Sequence, residues 1–262
     1  MITLNGKEVS PKYFSDGALD IKIEPELLNF EGLNIIGWRF DKNEELISIY
    51  FLTRHLQSKG IRDVELRMPY IPNARKDKAQ REKDVFSLKY FAEIINQLQF
   101  SRVVVLDPHS TVSEALIDRI RVITPEGYIH AVLEELGDQA ILFYPDEGAV
   151  KRYADKTDRP YVYGMKTRDK TTRVINDYRI EGDLEIIAGR DILMVDDICA
   201  SGKTLAIAAG KLKELGAGEL FVFVSHCENA AVKSGLLELI TRLYTTDSIF
   251  RETHPKIRLL PS

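Results

Sequence analysis

Cysteine and tryptophan are scarce in this chain, at 2 and 1 among 262 residues. Two cysteines, Cys199 and Cys227, are too few for the multi-bridge framework of a small secreted domain. No apolar run approaches the ~18 residues that a membrane-crossing helix needs. The chain opens MITLNGKEVSPK, without the basic and then apolar segments of a secretory leader. Neither charge dominates: 36 Lys and Arg against 40 Asp and Glu leave −4. That balance argues against a general nucleic-acid binder or a membrane-surface protein, yet permits a local basic pocket for phosphates. There is no Pro- or Ser-rich linker and no strong repeat. The expectation is a cytoplasmic protein with no nucleic-acid or membrane partner. With 44% hydrophobic residues a sizeable core is available, and the length suits one large or two modest domains.

What is present alternates. Short apolar, β-branched runs at residues 33–38, 64–69, 102–106, 141–144, 161–164, 192–195, 220–224 and 242–244 read as strands, several of them continuously apolar as strands covered on both faces are. Between them lie stretches of helical period. One spans residues 43–59, with Asn43 as cap, Leu46, Ile49, Tyr50 and Leu56 on one face and Gly60 as the stop. A second covers 84–97, with Phe86, Tyr90, Ile94 and Ile95 inward. A third follows Ser201, with Leu205, Ala208, Leu212 and Leu215 in period and Gly216 ending it. This is the pattern of an α/β protein with mostly parallel sheets. The strands divide near Thr124, where Pro125, Glu126 and Gly127 suit a hinge.

The most informative stretch is Ile192-Leu-Met-Val-Asp-Asp-Ile-Cys-Ala-Ser-Gly-Lys-Thr204. A buried strand ends in two carboxylates, a small-residue loop follows, and a helix begins. Ligands of open α/β sheets bind beyond the carboxyl ends of the strands. The loop and first helical turn offer backbone N–H groups, with Gly202 permitting close approach and Ser201 and Thr204 adding hydroxyls, a cradle for a phosphate. Carboxylates one short loop away suit the hydroxyls of a sugar phosphate. The Ser-Gly-Lys-Thr end mimics a nucleotide-triphosphate P-loop, but that motif needs glycine where Asp197 stands. Gly216-Ala-Gly218 opens like a dinucleotide fingerprint, but Phe221 occupies the third glycine's place and the element follows a helix.

The strand–Asp-Asp–loop–helix element resembles the phosphoribosyl-pyrophosphate (PRPP) motif of type I phosphoribosyltransferases and of ribose-phosphate pyrophosphokinases, the PRPP synthetases. Further segments, in that family's order, resemble the second group. Arg67-Met-Pro-Tyr-Ile-Pro-Asn-Ala-Arg-Lys-Asp77 is similar to its ATP-site segment, with Lys76 where Gln is usual. Val103-Val-Val-Leu-Asp-Pro-His109 resembles a strand ending Asp-Leu-His, with Pro108 for Leu. Tyr144-Pro-Asp-Glu-Gly-Ala-Val-Lys-Arg152 resembles Pro-Asp-x-Gly-Gly-x-x-Arg, with Ala149 for the second Gly; Lys151 and Arg152 read as structural. Gly164-Met-Lys-Thr-Arg-Asp-Lys170 resembles the start of a mobile catalytic loop, the residues up to Gly182 reading as a flap. Phe14-Ser-Asp-Gly17 is the faintest match, with Ala18 in place of Glu. Val224-Ser-His226 and Thr245-Thr-Asp-Ser248 resemble two further strand ends and read as architectural.

The resemblance implies two phosphoribosyltransferase-like lobes, each a mostly parallel sheet flanked by helices: residues 1–125, and residues 126–247 with 248–262 packing back on the first lobe. It implies a ribose-phosphate diphosphokinase that moves pyrophosphate from Mg-ATP to the 1-hydroxyl of ribose 5-phosphate, giving PRPP and AMP. Lys166 and Arg168 become catalytic. Arg75, Lys76, Asp77 and Asp16 bind ATP. Asp196, Asp197, Ala200, Ser201, Gly202, Lys203 and Thr204 bind ribose 5-phosphate, the acids directly or through a second Mg²⁺. His109 and Asp146 hold Mg²⁺. A homo-oligomer built on dimers is expected. The alternatives are a PRPP-consuming phosphoribosyltransferase, which leaves residues 67–77, His109 and Lys166 unexplained, and a non-catalytic regulatory subunit, which Ala18 and Lys76 would suit.

Overall fold

Continuous runs of apolar residues lose their water only if both faces of a sheet are covered, and this requirement organises both halves of the molecule. A computed structural model of the chain describes residues 1–168 and 175–262, and at residues 167, 168, 175 and 176 the backbone only. It divides into two compact units, Met1–Ile123 and Thr124–Ser262.

In the first unit the strands are β1 (Ile2–Leu4), β2 (Lys7–Val9), β3 (Lys12–Tyr13), β4 (Leu19–Asp20), β5 (Asn34–Trp38), β6 (Val64–Arg67), β7 (Arg102–Leu106) and β8 (Ile120–Ile123). The helices are α1 (Glu45–Ser58), α2 (Ser87–Gln97) and α3 (Val112–Leu116). The six-stranded sheet runs β2-β1-β5-β6-β7-β8. Its β5 to β8 portion is parallel and β1 joins antiparallel. β3 and β4 form a separate hairpin. Ile36, Leu66, Val103 and Val105 of the sheet pack with Ile49, Leu52 and Leu56 of α1 and with Leu88, Phe91 and Ile95 of α2 in one core.

The second unit contains α4 (Glu126–Leu136), β9 (Ile141–Tyr144), α5 (Glu147–Tyr153), β10 (Tyr161–Arg168), β11 (Ile175–Glu181), β12 (Ile192–Cys199), α6 (Lys203–Glu214), β13 (Leu220–Cys227), α7 (Leu236–Leu239), β14 (Arg242–Thr246) and β15 (Ile257–Leu260). Its seven-stranded sheet runs β11-β10-β9-β12-β13-β14-β15 and is parallel except at β11. One face packs on α6 through Leu205, Ala208, Ala209 and Leu212, the other on α4 and α5 through Ile129, Leu133 and Tyr153.

Several expectations need correction. Residues 248–262 do not return to the first unit: β15 pairs parallel with β14, Leu243 opposite Ile257, extending the second sheet. Pro125, Glu126 and Gly127 open α4. Residues 175–181, within the expected flap, form β11. In α2 the buried row is Leu88, Phe91, Ala92 and Ile95, while Tyr90 and Ile94 face solvent. Asn43 does not cap α1 through its side chain; Glu44 is the cap residue.

Candidate active site

The register of the second sheet brings its chemistry to one edge. Phe143 of β9 lies opposite Val162 of β10 and Met194 of β12. Because these strands are parallel, Asp146, Lys166 and the Asp196–Asp197 pair, each two to four residues further on, emerge together at the carboxyl ends, where such sheets receive ligands.

Asp146 begins α5. Its backbone is extended and its Oδ1 accepts a hydrogen bond from the Ala149 N–H at 3.0 Å. Its Oδ2 forms an ion pair with the Lys166 ammonium. Burial works to raise the Asp146 carboxyl, but the Lys166 ammonium and the Ala149 N–H outweigh it and hold the group below the usual carboxylate range. Lys166 reaches this position from β10, beside Gly164. Side-chain space at Gly164 is taken by Tyr178, whose hydroxyl donates to the Pro145 carbonyl at 3.1 Å; a Cβ on Gly164 would lie 2.1 Å from that hydroxyl.

Asp196 and Asp197 lie within β12, which continues to Cys199 rather than ending at the acids. Asp197 is buried and Asp196 largely so. The Asp197 N–H donates to Asp196 Oδ1 at 3.0 Å. Burial, and then the neighbouring Asp197 charge, push the Asp196 carboxyl up; Arg152 works against them. Arg152 is the residue that sequence reasoning missed. From α5 its Nη2 donates to Asp197 Oδ1 at 2.6 Å and lies 3.4 Å from Asp196 Oδ1. The available signal was chemical: a carboxylate pair at a buried strand end needs a cation, and an arginine stood in the segment at the next strand end.

After β12 the chain turns through Ala200 and Ser201 to Gly202, which enters α6 at φ +70°. A Cβ here would lie 2.8 Å from Ser234 Oγ and 3.2 Å from Leu236 Cδ2, so glycine is demanded by both conformation and space. No side chain caps α6, leaving the first-turn N–H groups, with the exposed Ser201 and Lys203 and the half-buried Thr204, to face an anion.

The remaining predicted residues divide. Arg168 ends β10, and its side chain lies outside the described residues, as do residues 169–174 of the expected flap. Arg75, Lys76, Asp77 and His109 belong to the first unit, where neighbouring parallel strands β6 and β7 lead into them. Arg75 and Lys76 are exposed and Asp77 half-buried, after a turn in which the Lys76 N–H donates to Asn73 O at 2.8 Å. His109 is half-buried and follows Asp107, a buried residue at φ +40°. Asp16 is apart from these, exposed in the β3–β4 turn and accepting from the Ala18 N–H at 2.9 Å. His226 and Ser248 are buried and joined at 2.8 Å, linking β13 to the segment after β14.

The donors suit magnesium in that ion's usual mode, one or two carboxylates with phosphate oxygens and water completing the shell. At the second sheet's edge three carboxylates, Asp146, Asp196 and Asp197, face two cations, Lys166 and Arg152. No three His, Cys, Asp or Glu side chains converge as a ready-made cage among the described residues. The imidazole of His109 is a poor partner for so hard an ion.

No protein-family model matches the chain. It is 24% identical over 224 residues to the ribose-phosphate pyrophosphokinase of Saccharolobus solfataricus, spanning 84% of this chain and 76% of that protein. Ribose-phosphate pyrophosphokinase 1 of Listeria monocytogenes is 26% identical over 255 residues, 92% of this chain and 77% of that one. Over most of its length this chain is similar to the ribose-phosphate pyrophosphokinases. The fold agrees: the phosphoribosylpyrophosphate synthetase from Mycobacterium smegmatis superposes with a TM-score of 0.80 at 19% identity, over 97% of this chain and 86% of that one. Among the described residues no helix is long and apolar enough to cross a membrane.

Proposed function

We propose that this chain is a ribose-phosphate pyrophosphokinase, which transfers the β,γ-pyrophosphoryl group of ATP to the 1-hydroxyl of ribose 5-phosphate, giving PRPP and AMP. The observation that carries this reading is the single sheet edge where a Lys–Asp pair, a carboxylate pair and an uncapped helix N-terminus meet.

Each part has a task. The loop from Ala200 to Thr204 takes the 5-phosphate on backbone N–H groups and hydroxyls. Asp196 and Asp197 accept hydrogen bonds from the ribose hydroxyls and so orient the sugar. The C1 hydroxyl oxygen then forms its bond to the β-phosphorus, giving up its proton to water, as the bond from that phosphorus to the AMP oxygen breaks. There is little covalent chemistry for the protein to perform, so positioning and charge stabilisation supply the rate. Lys166 and Arg168 hold charge on the transferring group. Arg75, Lys76, Asp77 and Asp16 contact ATP. Asp146 would hold Mg²⁺, which supplies positive charge on the phosphate oxygens when bound. On this reading the protein is a cytoplasmic homo-oligomer built on dimers.

The test is the nucleotide product. Mg-ATP incubated with the protein should yield AMP without ADP, and only when ribose 5-phosphate is added. ADP formation, or AMP release independent of the sugar, would contradict pyrophosphoryl transfer.

A further inference from the structure

Two carboxylates side by side at a buried strand end repel each other, and in phosphate-handling sites a divalent cation commonly relieves that repulsion. Here a side chain already stands in that position. Arg152 Nη2 lies 2.6 Å from Asp197 Oδ1 and 3.4 Å from Asp196 Oδ1. The guanidinium is held in place: its Cζ lies over the Tyr153 ring, 5.2 Å from the centroid. Tyr153 is buried and stacks on Tyr144 of β9, with ring centroids 6.4 Å apart. The cation is therefore fixed to the same sheet as the acids it neutralises, and guanidinium keeps its charge at any working pH. Meanwhile Asp196 Oδ1 accepts from the Asp197 N–H, which ties the two acids together beneath the guanidinium.

We propose that Arg152 is the resident counter-ion of the Asp196–Asp197 pair and takes the place of a divalent cation there, so that the pair receives sugar hydroxyls directly. The identity of the sugar rests on the function proposed above; the counter-ion role does not. Arg152 is a positioning residue, acting through the acids. A second fixed cation beside it would meet strong repulsion in a partly buried setting.

Mn²⁺ bound by the intact protein, counted by electron paramagnetic resonance without nucleotide or sugar, tests this. Arg152→Met should gain one Mn²⁺ site over the wild type, and adding Asp197→Asn should remove it. Arg152→Lys, which keeps the charge, should match the wild-type count. An equal count in wild type and Arg152→Met overturns the proposal. So does a wild-type site that Asp197→Asn abolishes, a comparison that decides the matter even where Arg152→Met fails to fold.

Calorimetric titration with ribose 5-phosphate adds a second readout. Wild-type affinity in excess EDTA should stay within about twofold of that with Mg²⁺. Arg152→Met should bind about tenfold or more weakly in EDTA and recover in part with Mg²⁺. Wild-type binding that requires Mg²⁺ would overturn the proposal. Absence of ribose 5-phosphate binding under both conditions would instead refute the proposed substrate, while the Mn²⁺ count still judges Arg152.

Discussion

Lys166 and Asp146 form one ion pair to which the proposed function gives a part in both chemistry and folding. Lys166 is assigned a contact that strengthens as charge develops on the transferring group. Lys166→Ala should therefore collapse turnover while leaving equilibrium binding of ribose 5-phosphate nearly intact; equal losses in both would contradict the role. The same pair makes a pH prediction. The folded Asp146 carboxyl is held below its ordinary value, so its stabilisation is present at neutral pH and is lost as pH falls through the folded value. In urea unfolding the wild type should exceed Asp146→Asn by about 1–3 kcal/mol at pH 7. That gap should hold to about pH 5 and close below about pH 4. A gap independent of pH would remove the ion pair from the account. Asp196 and Asp197 were visible as candidates because paired acids at the end of an apolar strand, before a small-residue loop and a helix, have no apolar role; Asp146 and Lys166 were visible only through the family resemblance. Arg152 was not, because its partners are 44 and 45 positions away in sequence and only the fold brings them together.

Among elements, the turn from β12 into α6 depends most on one residue. Gly202 combines φ +70° with a neighbour, Ser234 Oγ, 2.8 Å from where a Cβ would stand. Gly202→Ala should cost about 1–2 kcal/mol for the left-handed conformation alone and reshape the proposed phosphate loop. A lowered melting temperature with weakened ribose 5-phosphate binding is the expected pair of results; a variant with wild-type values in both would contradict the cradle. The turn was legible because small residues, a glycine and a helical period follow one another in sequence. Strand ends were less legible. Lys166 in β10 and the two acids in β12 lie inside strands that the apolar pattern appeared to close at Gly164 and Val195. Polar residues continue a strand where the backbone ladder continues, and hydropathy does not report the ladder. In α2 the segment carries two overlapping apolar rows, Phe86-Tyr90-Ile94 and Leu88-Phe91-Ile95. Only the sheet it covers decides between them, and it selects the second.

The whole molecule is two units, each with its own core of buried side chains. The α/β alternation and the division near residue 124 could be read from the spacing of apolar runs. The course of 248–262 could not, since β15 is an edge strand with half-exposed and exposed residues and no strong apolar pattern. Because the proposed phosphate loop, the acid pair and Lys166 all belong to the second unit, residues 124–262 produced alone should fold, melt cooperatively by circular dichroism and bind ribose 5-phosphate, yet transfer nothing. Transfer by that fragment would show that residues 75–77 and His109 are dispensable. Phosphorus NMR of the intact protein with Mg-ATP and ribose 5-phosphate reads the transfer itself. The resonances of a C1-linked diphosphate and of AMP should grow in equal amounts as ATP declines. No reaction by a folded protein, or consumption of added PRPP in the presence of a nucleobase, would contradict it.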